Sequence, residues 1–428
     1  MKKKIIILGI LFTSILTLGG GGYFARRVIP ELKQDENLEL AIYVDDEKQS
    51  TIPGKDSGYT LDLEKSSCTY GNISWDSDSW SPVVTVNNEV NGKVRCNLYF
   101  RETTPYDECI VKYGSDSAQC NILADLDEEV CPTVDENGNI LVSSVESENG
   151  YLCSAPDDYG ISYYFRGNVT NNYVKFGKNA SGQDMYWRIL RINGDGSIRM
   201  IYDGTTAHAN GESNTDRQIG TSEYHSRDDR ENAYVGYMYG NTSGTTYEAT
   251  HRNTNSSTIK EYLDNWYTDV FLNQEYEAYL NDTLFCNDRS LRSGTGIGGD
   301  MTDYRAASNQ ITLNCIQQND RFTVNDKVTG NGALTYPIGL ITVDEAYLAG
   351  GYSTANTNYY LYSGNRSWWT MTPYLFDGRY ALVYSINASI KPIMDISVVI
   401  SYGVRPVINL KPNSLKSGDG TASNPYQV

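Results

Sequence analysis

The sequence predicts an α+β fold in which strands far outnumber helices, divided among several modules and preceded by an apolar leader. Three observations carry this. A length of 428 residues exceeds what one small core requires. With 35 Tyr, 38 Gly and abundant Asn, Ser and Thr, the composition is turn-rich and leans towards β structure. Short alternating segments recur along the chain, whereas helical periodicity is confined to two modest stretches. The formal net charge of -18, with no basic stripe after Arg27, repels nucleic acid and excludes it as a partner.

The leader, "MKKKIIILGILFTSILTLGGGGYFARR" within residues 1–30, has three lysines followed by an uncharged stretch from Ile5 to Ala25. That length spans a bilayer, and Lys2, Lys3 and Lys4 would hold the start inside. A cleaved signal peptide is the alternative, because the strongest apolar block, Ile5 to Leu18, is short and small glycines follow it. Both versions place the chain outside the cell, tethered to the membrane or secreted. The eight cysteines suit that compartment, and with no CxxC among them disulfide staples are expected rather than zinc or redox chemistry.

Over residues 38–101, "LAIYVDD", "YTLDLEKSSC", "ISWD", "SPVVTVNN" and "KVRCNLYF" read as strands, with Asn91-Gly92 as a tight hairpin turn between the last two. Cys68 and Cys96 bracket this region, with Trp75 and Trp80 between them. The pattern resembles an immunoglobulin-like β-sandwich, which implies a spacer or adhesive module. Residues 102–158 are acidic and hold Cys109, Cys120, Cys131 and Cys153, as in a stapled connector whose pairing the spacing leaves open. Asp135, Asn137 and Asn139 imitate a calcium loop, but its sixth position holds Ile140 where glycine is needed. A hairpin turn at "DENGN" is the simpler reading.

Residues 159–412 form the largest region, followed by a tail over 413–428. "MYWRILRINGDGSIRMIYDG" predicts two strands joined through Asn193-Gly194-Asp195-Gly196. In "NSSTIKEYLDNWYTDVF", Ile259, Leu263, Trp266 and Val270 share one helical face, with Ser256 or Ser257 as cap. Thr342 and Glu345 have capping-box spacing ahead of a second short helix, and Gly350 is its stop.

Catalytic signatures are sparse. His208, His225 and His251 show no metal-binding spacing and read as ordinary loop residues at the surface. There is no GxSxG elbow. Ser257 and Lys260 match SxxK, but the third element is broken at "KVTG", and Ser257 is better used as a helix cap. A carboxylate pair of the glycosidase kind leaves no local signature to test. No cofactor or metal is implied.

"YWRILRINGDGSIRMIYDGT", "STIKEYLDNWY", "DTLFCNDRS", "NDRFTV", "GNGALTYPIGLITVDEAYLAG", "WWTMTP" and "YGVRPVINL" carry a resemblance across Tyr163 to Leu410. They resemble a family of exported bacterial proteins of unassigned function, whose final domain is similar to the C-type-lectin-like fold of formylglycine-generating enzymes and retroelement-diversified receptors. The enzymatic branch implies a reactive cysteine pair near the end of the domain. No cysteine follows Cys315 here, and Cys286 with Cys315 looks like a structural bridge. The receptor branch implies an outward-facing, diversifiable surface between the Trp-containing strand and the closing G-[FV]-R-P strand. In this chain that interval is Tyr374 to Ser401, and Tyr374, Phe376, Asp377, Arg379, Tyr380, Tyr384, Ile393, Asp395, Ile396 and Val399 are its candidate ligand-binding residues, with Arg405 as scaffold.

Pattern leaves one alternative open. In "YALVYSI" both strand faces are apolar, and "ISVVIS" is similarly two-sided, so each is either buried on both faces or exposes one to a partner. The function expected on this resemblance is recognition of a protein or glycan outside the cell. An extracellular enzyme and a purely structural surface protein are the rivals.

Overall fold

The computed structural model describes residues 4–7, 38–76, 79–86, 93–126, 130–142, 149–291, 311–351, 356–386 and 393–428. The protein is mostly β with few helices, and the chain divides into two compact units, Met1–Ser115 and Asp116–Val428.

The first unit contains β1 (Lys4–Ile7), β2 (Leu38–Val44), β3 (Glu47–Gln49), β4 (Tyr59–Cys68), β5 (Asn72–Asp76), β6 (Ser81–Val86) and β7 (Val94–Glu102). They form two sheets, in the orders β3-β2-β7-β4 and β1-β6-β5. Alternation in β7 buries Val94, Cys96, Leu98 and Phe100 and turns Arg95 and Asn97 to solvent. The buried set packs with Ile42, Leu61 and Val84 and with half-buried Ile73 and Trp75, so the two sheets share one core.

Two expectations change here. β6 and β7 lie in different sheets, so the chain crosses between layers instead of making a hairpin, and Asn91-Gly92 lies outside the described residues. The Cys68–Cys96 disulfide forms, but between register partners on adjacent strands β4 and β7. An immunoglobulin bridge joins facing sheets; this one reinforces a single sheet. Of the leader, only Lys4–Ile7 is described, as a strand antiparallel to β6 rather than as helix. The rest of residues 1–30 lies outside the described residues, among which no helix is long and apolar enough to cross a membrane.

Helix α1 (Pro105–Tyr113) ends this unit, started by a Thr104–Asp107 capping box with Pro105 in the first turn.

The second unit opens with α2 (Ala118–Leu123) and a small hairpin, β8 (Thr133–Val134) and β9 (Ile140–Leu141). At its turn the Asp135 carboxylate accepts from the backbone N–H of Asn137 and Asn139 and from the Asn139 amide, so "DENGN" is a hydrogen-bonded turn. β10 (Gly150–Asp157), β11 (Gly160–Gly167), β12 (Tyr173–Lys178), β13 (Asp184–Ile192) and β14 (Ile198–Gly204) then build most of a six-stranded sheet. The Asn193–Gly196 turn joins β13 and β14 as expected, with Asn193 N–H donating to the Ser197 carbonyl.

A second, five-stranded sheet has the order β15-β23-β20-β21-β22, where β15 is Gly220–Glu223. Two-residue strands β16 (Met238–Tyr239), β17 (Asn255–Ser256), β18 (Phe285–Cys286) and β19 (Arg321–Phe322) and one-turn helix α3 (Tyr247–Thr250) are among the elements described before β20 (Trp368–Phe376). β21 (Ala381–Ile386), β22 (Ile393–Ser397) and β23 (Ser401–Val404) complete that sheet, and β24 (Val407–Leu410) joins the six-stranded one against β14. "GVRP" is therefore the crossing point between sheets. A side chain at Gly403 would displace the Gln218 amide, which donates to Ser367 O, while Pro406, free of any N–H, accepts from Tyr202 through its carbonyl.

Helix α4 (Thr258–Val270) is capped by Ser257, whose side chain accepts from Lys260 N, and it buries Ile259, Leu263, Tyr267 and Val270. Trp266 is half-buried and meets Trp187 and Tyr202 edge-on. Helix α5 (Val343–Ala346) carries the Thr342–Glu345 capping box, and Gly350 follows at φ 124°, a conformation that stops a helix and favours glycine.

The composition-based boundaries do not match the packing. β10, at the end of the supposed connector, pairs along its length with β11 of the large domain. The supposed tail is integral too: Tyr426 is buried and exchanges backbone hydrogen bonds with Tyr173 and Lys175 on β12.

The second unit also buries charge. Asp203 on β14 accepts from Arg405 at 2.6 Å and from Arg217 Nε at 2.9 Å, and Arg188 of β13 lies 3.9 Å from its other oxygen, all four side chains fully buried. Glu345 binds Arg199 at 2.5 Å and Arg191 at 3.1 Å, and Asp157 takes the other side of Arg191 at 2.6 Å. Backbone carbonyls and aromatic faces supply the remaining acceptors: Arg405 donates to Tyr202 O and lies over Trp368, and Arg188 donates to Val169 O and lies over Tyr173. Burial lowers the Arg405 pKa to about 10, still well above neutrality. Replacing Asp203→Asn should leave guanidinium charge buried without its counter-charge and cost about 3–5 kcal/mol. Urea unfolding midpoints would measure this, and a loss below about 1 kcal/mol would mean that carbonyls and rings suffice.

Candidate recognition surface

Of the interval Tyr374 to Ser401, residues 387–392 lie outside the described residues, and the rest is organised around Ala381. β20 begins dry, with Trp368, Trp369 and Met371 fully buried and the Trp369 indole N–H donating to Ser222 O. From Tyr374 the strand rises towards solvent, and Asp377 to Arg379 are exposed. The Asp377 carboxylate accepts from Arg379 N at 2.7 Å and Tyr380 N at 2.6 Å, which closes the hairpin turn and holds its pKa below the ordinary carboxylate range. The Arg379 guanidinium lies 4.7 Å from the Tyr380 ring centre.

Three backbone links converge on the next residue. Ala381 pairs with Phe376 in register, its N–H donates to Asp229 O, and its carbonyl accepts from Val398 N. The hairpin tip and the turn Val398–Ile400 are thereby held side by side. Val398 is buried completely, while Val399 and Ile400 are 37% and 42% exposed. Arg379, Tyr380, Val399 and Ile400 thus crown one end of the five-stranded sheet.

The candidate residues separate by depth. Tyr374, Phe376 and Tyr380 are half-buried, Asp377, Arg379 and Asp395 are exposed, and Ile396 is half-buried opposite Val383. Ile393 stands opposite Ile386 in the β22 register. Tyr384 is the correction. It is 4% exposed, in contact with the Tyr374 ring at 5.1 Å, inside a strand flanked by β20 and β22, so it packs the sheet and does not face a ligand. "YALVYSI" is two-sided because β21 is central and buried nearly throughout. "ISVVIS" is not one strand: β22 ends at Ser397 and the chain turns. Ile400, absent from the sequence-based set, joins the surface through that turn; a β-branched run without Gly, Asn or Pro carries no local signal for it.

The other candidate chemistry resolves into structure. Ser257 Oγ caps α4, and the Lys260 ammonium is buried against Asp264 at 2.6 Å, so SxxK is a cap beside an ion pair and not an activated nucleophile. All eight cysteines are in disulfides, including Cys286–Cys315 and Cys131–Cys153, so no thiol nucleophile exists in this state. A cavity beside Arg191, Glu345 and Cys286 has ≈ 20 Å³ of free space, room for about one water. Among the described residues no group of three or more His, Cys, Asp or Glu is placed to hold a metal.

All three histidines, expected at the surface, are buried. His208 is bound on both sides by carboxylates, Glu212 at 2.9 Å and Asp216 at 2.8 Å. His251 and His225 find no hydrogen-bond partner for either ring nitrogen. His251 packs on the Tyr247 ring at 4.0 Å, and burial with the nearby Arg289 charge lowers its pKa to about 3. His225 lies between Tyr234 and Tyr239, and burial lowers it to about 4.

Comparison with known proteins returns no match to a family model, a curated protein or a solved structure.

A buried neutral imidazole binds a proton less readily folded than unfolded. Stability is therefore complete above about pH 6.5 and falls as pH drops from there through the folded value. For His251 the loss should reach roughly 4 kcal/mol by about pH 3. Denaturant titrations at stepped pH should show this slope in the wild type and a shallower one in His251→Phe.

Proposed function

We propose that this chain is an exported binding protein that recognises another protein through the sheet end formed by the Phe376–Tyr380 hairpin tip and the Val398–Ile400 turn. The observation that carries the reading is the convergence at Ala381. It sets a cation, an aromatic ring and two exposed aliphatic side chains together above a dry sheet. Arg and Tyr are favoured anchors of protein interfaces, and exposed Val and Ile side chains gain little against the hydroxyl-rich face of a glycan. The cavity beside Arg191 and Glu345 is too small for a sugar. An oxidising compartment suits a chain whose cysteines are all paired. The leader would export or tether it, the first unit would act as an immunoglobulin-like spacer, and the second as a C-type-lectin-like recognition domain. That assignment rests on the resemblance described above and on fold analogy.

The test is binding of the purified chain to an array of extracellular protein domains, with a glycan array in parallel, repeated with Arg379→Ala, Tyr380→Ala and Val399→Ser. Specific protein signals weakened at least about tenfold by the variants, with melting temperatures within about 3 °C of wild type, are the expected result. Signals untouched by all three variants, or confined to glycans, would overturn it.

A further inference from the structure

His225 sits at the base of the proposed surface. Its backbone N–H donates to Val398 O at 2.9 Å, extending the β15–β23 ladder to the exposed turn. Four residues on, the Asp229 carbonyl accepts from Ala381 N at 2.6 Å and its carboxylate accepts from Ser397 Oγ at 2.6 Å. The segment His225–Asp229 is thus bonded to both parts of the patch. On its other side, Ser226 N–H donates to Thr258 Oγ1 at the start of α4.

The buried imidazole packs on two rings, with centroids 4.0 Å from Tyr234 and 4.8 Å from Tyr239, and neither nitrogen has a hydrogen-bond partner among the described residues. The charged and titratable groups on the surrounding elements are Tyr224 before the ring in sequence, Arg227, Asp228, Asp229, Arg230 and Glu231 on the connecting segment, Tyr234 and Tyr239 beside the ring, Lys260 and Glu261 in the first turn of α4, Arg379 on the patch and Asp395 on β22. Lys260 is committed to Asp264, and the Asp229 carboxylate to Ser397. Among the described residues no carboxylate lies within hydrogen-bonding distance of the His225 ring, and the Arg227 charge opposes a second cation there.

We infer that His225 is an acid-operated latch: once protonated, the imidazolium has no acceptor in its aromatic slot, leaves it for water, and releases His225–Asp229 from Val398 and Ala381, dismantling the patch. The expected consequence is weakened ligand binding as the pH falls towards 4.5. That consequence rests on the proposed function, but the opening itself is a property of this chain and is read without any ligand.

Amide hydrogen exchange of the full chain at pH 7.0 and pH 4.5, corrected for intrinsic rates, tests it. With the packed imidazole titrating near 4 and the released one near 6.5, protection of the His225 and Ala381 amides should fall roughly 50-fold between the two conditions. His225→Phe keeps a flat ring in the slot and should abolish the fall, whereas His251→Phe should retain it. Because His225→Phe could misfold, the wild-type His225 Cε1–H resonance is followed over the same range. Loss of protection that tracks imidazole titration supports the latch. Equal protection at both pH values, an undiminished fall in folded His225→Phe, or a ring that charges while the amides stay protected would each overturn it. Retained opening without array binding would sink only the proposed partner class.

Discussion

The second unit depends on one buried carboxylate. Asp203 lies on β14, a strand whose residues are all buried, and it meets the charge of an arginine on neighbouring β13, one beyond the end of β14 and one at the crossing between β23 and β24. Those three positions belong to separate parts of the chain. A charge this deep is tolerated only when it is paired and most of its donors are answered, and here carbonyls and aromatic faces answer many of them, although Arg217 Nη2 and Asp203 Oδ2 make no hydrogen bond. The result fixes where "GVRP" passes from one sheet to the other. That crossing sets the position of β23, and with it the turn that precedes β23.

Rigidity below and exposure above are linked through the same sheet. β21 is dry on both sides, so Ala381 is held firmly, and the hairpin tip and turn attached to it have a defined relation despite lying in solvent. Displaying recognition residues on loops at the end of a sheet is a common use of a rigid scaffold. The segment around His225 is where we infer that this rigidity depends on pH. It is tied by backbone hydrogen bonds on both sides, yet its imidazole packs on other rings with no hydrogen-bond partner among the described residues, so its stability depends on the charge state of that ring.

Local signals were legible where local physics decides. The Asn193–Gly196 turn, the Ser257 cap, the Thr342–Glu345 capping box and the Gly350 stop all depend on residues a few positions apart. The strand at β21 was readable as apolar on two faces, but which neighbour covers each face is a long-range fact. That is why Tyr384 read equally well as anchor and as core. Boundaries drawn from acidity and cysteine density failed for a similar reason: β10 and Tyr426 are recruited by partners distant in sequence.

By itself the sequence determined the β-rich class, the starts of α4 and α5, the Gly350 stop and the disulfide-bonded character, because propensity, capping and turn chemistry act over a few residues; the interval Tyr374 to Ser401 came from the resemblance alone. Only the tertiary structure decided which residues of that interval reach solvent, that Ile400 joins Arg379 and Tyr380 at one end of the sheet, that the histidines are buried, and that Asp203 gathers its arginines. Each of these is set by contacts between strands far apart in the chain, whose burial and ion pairing have no period or motif to betray them.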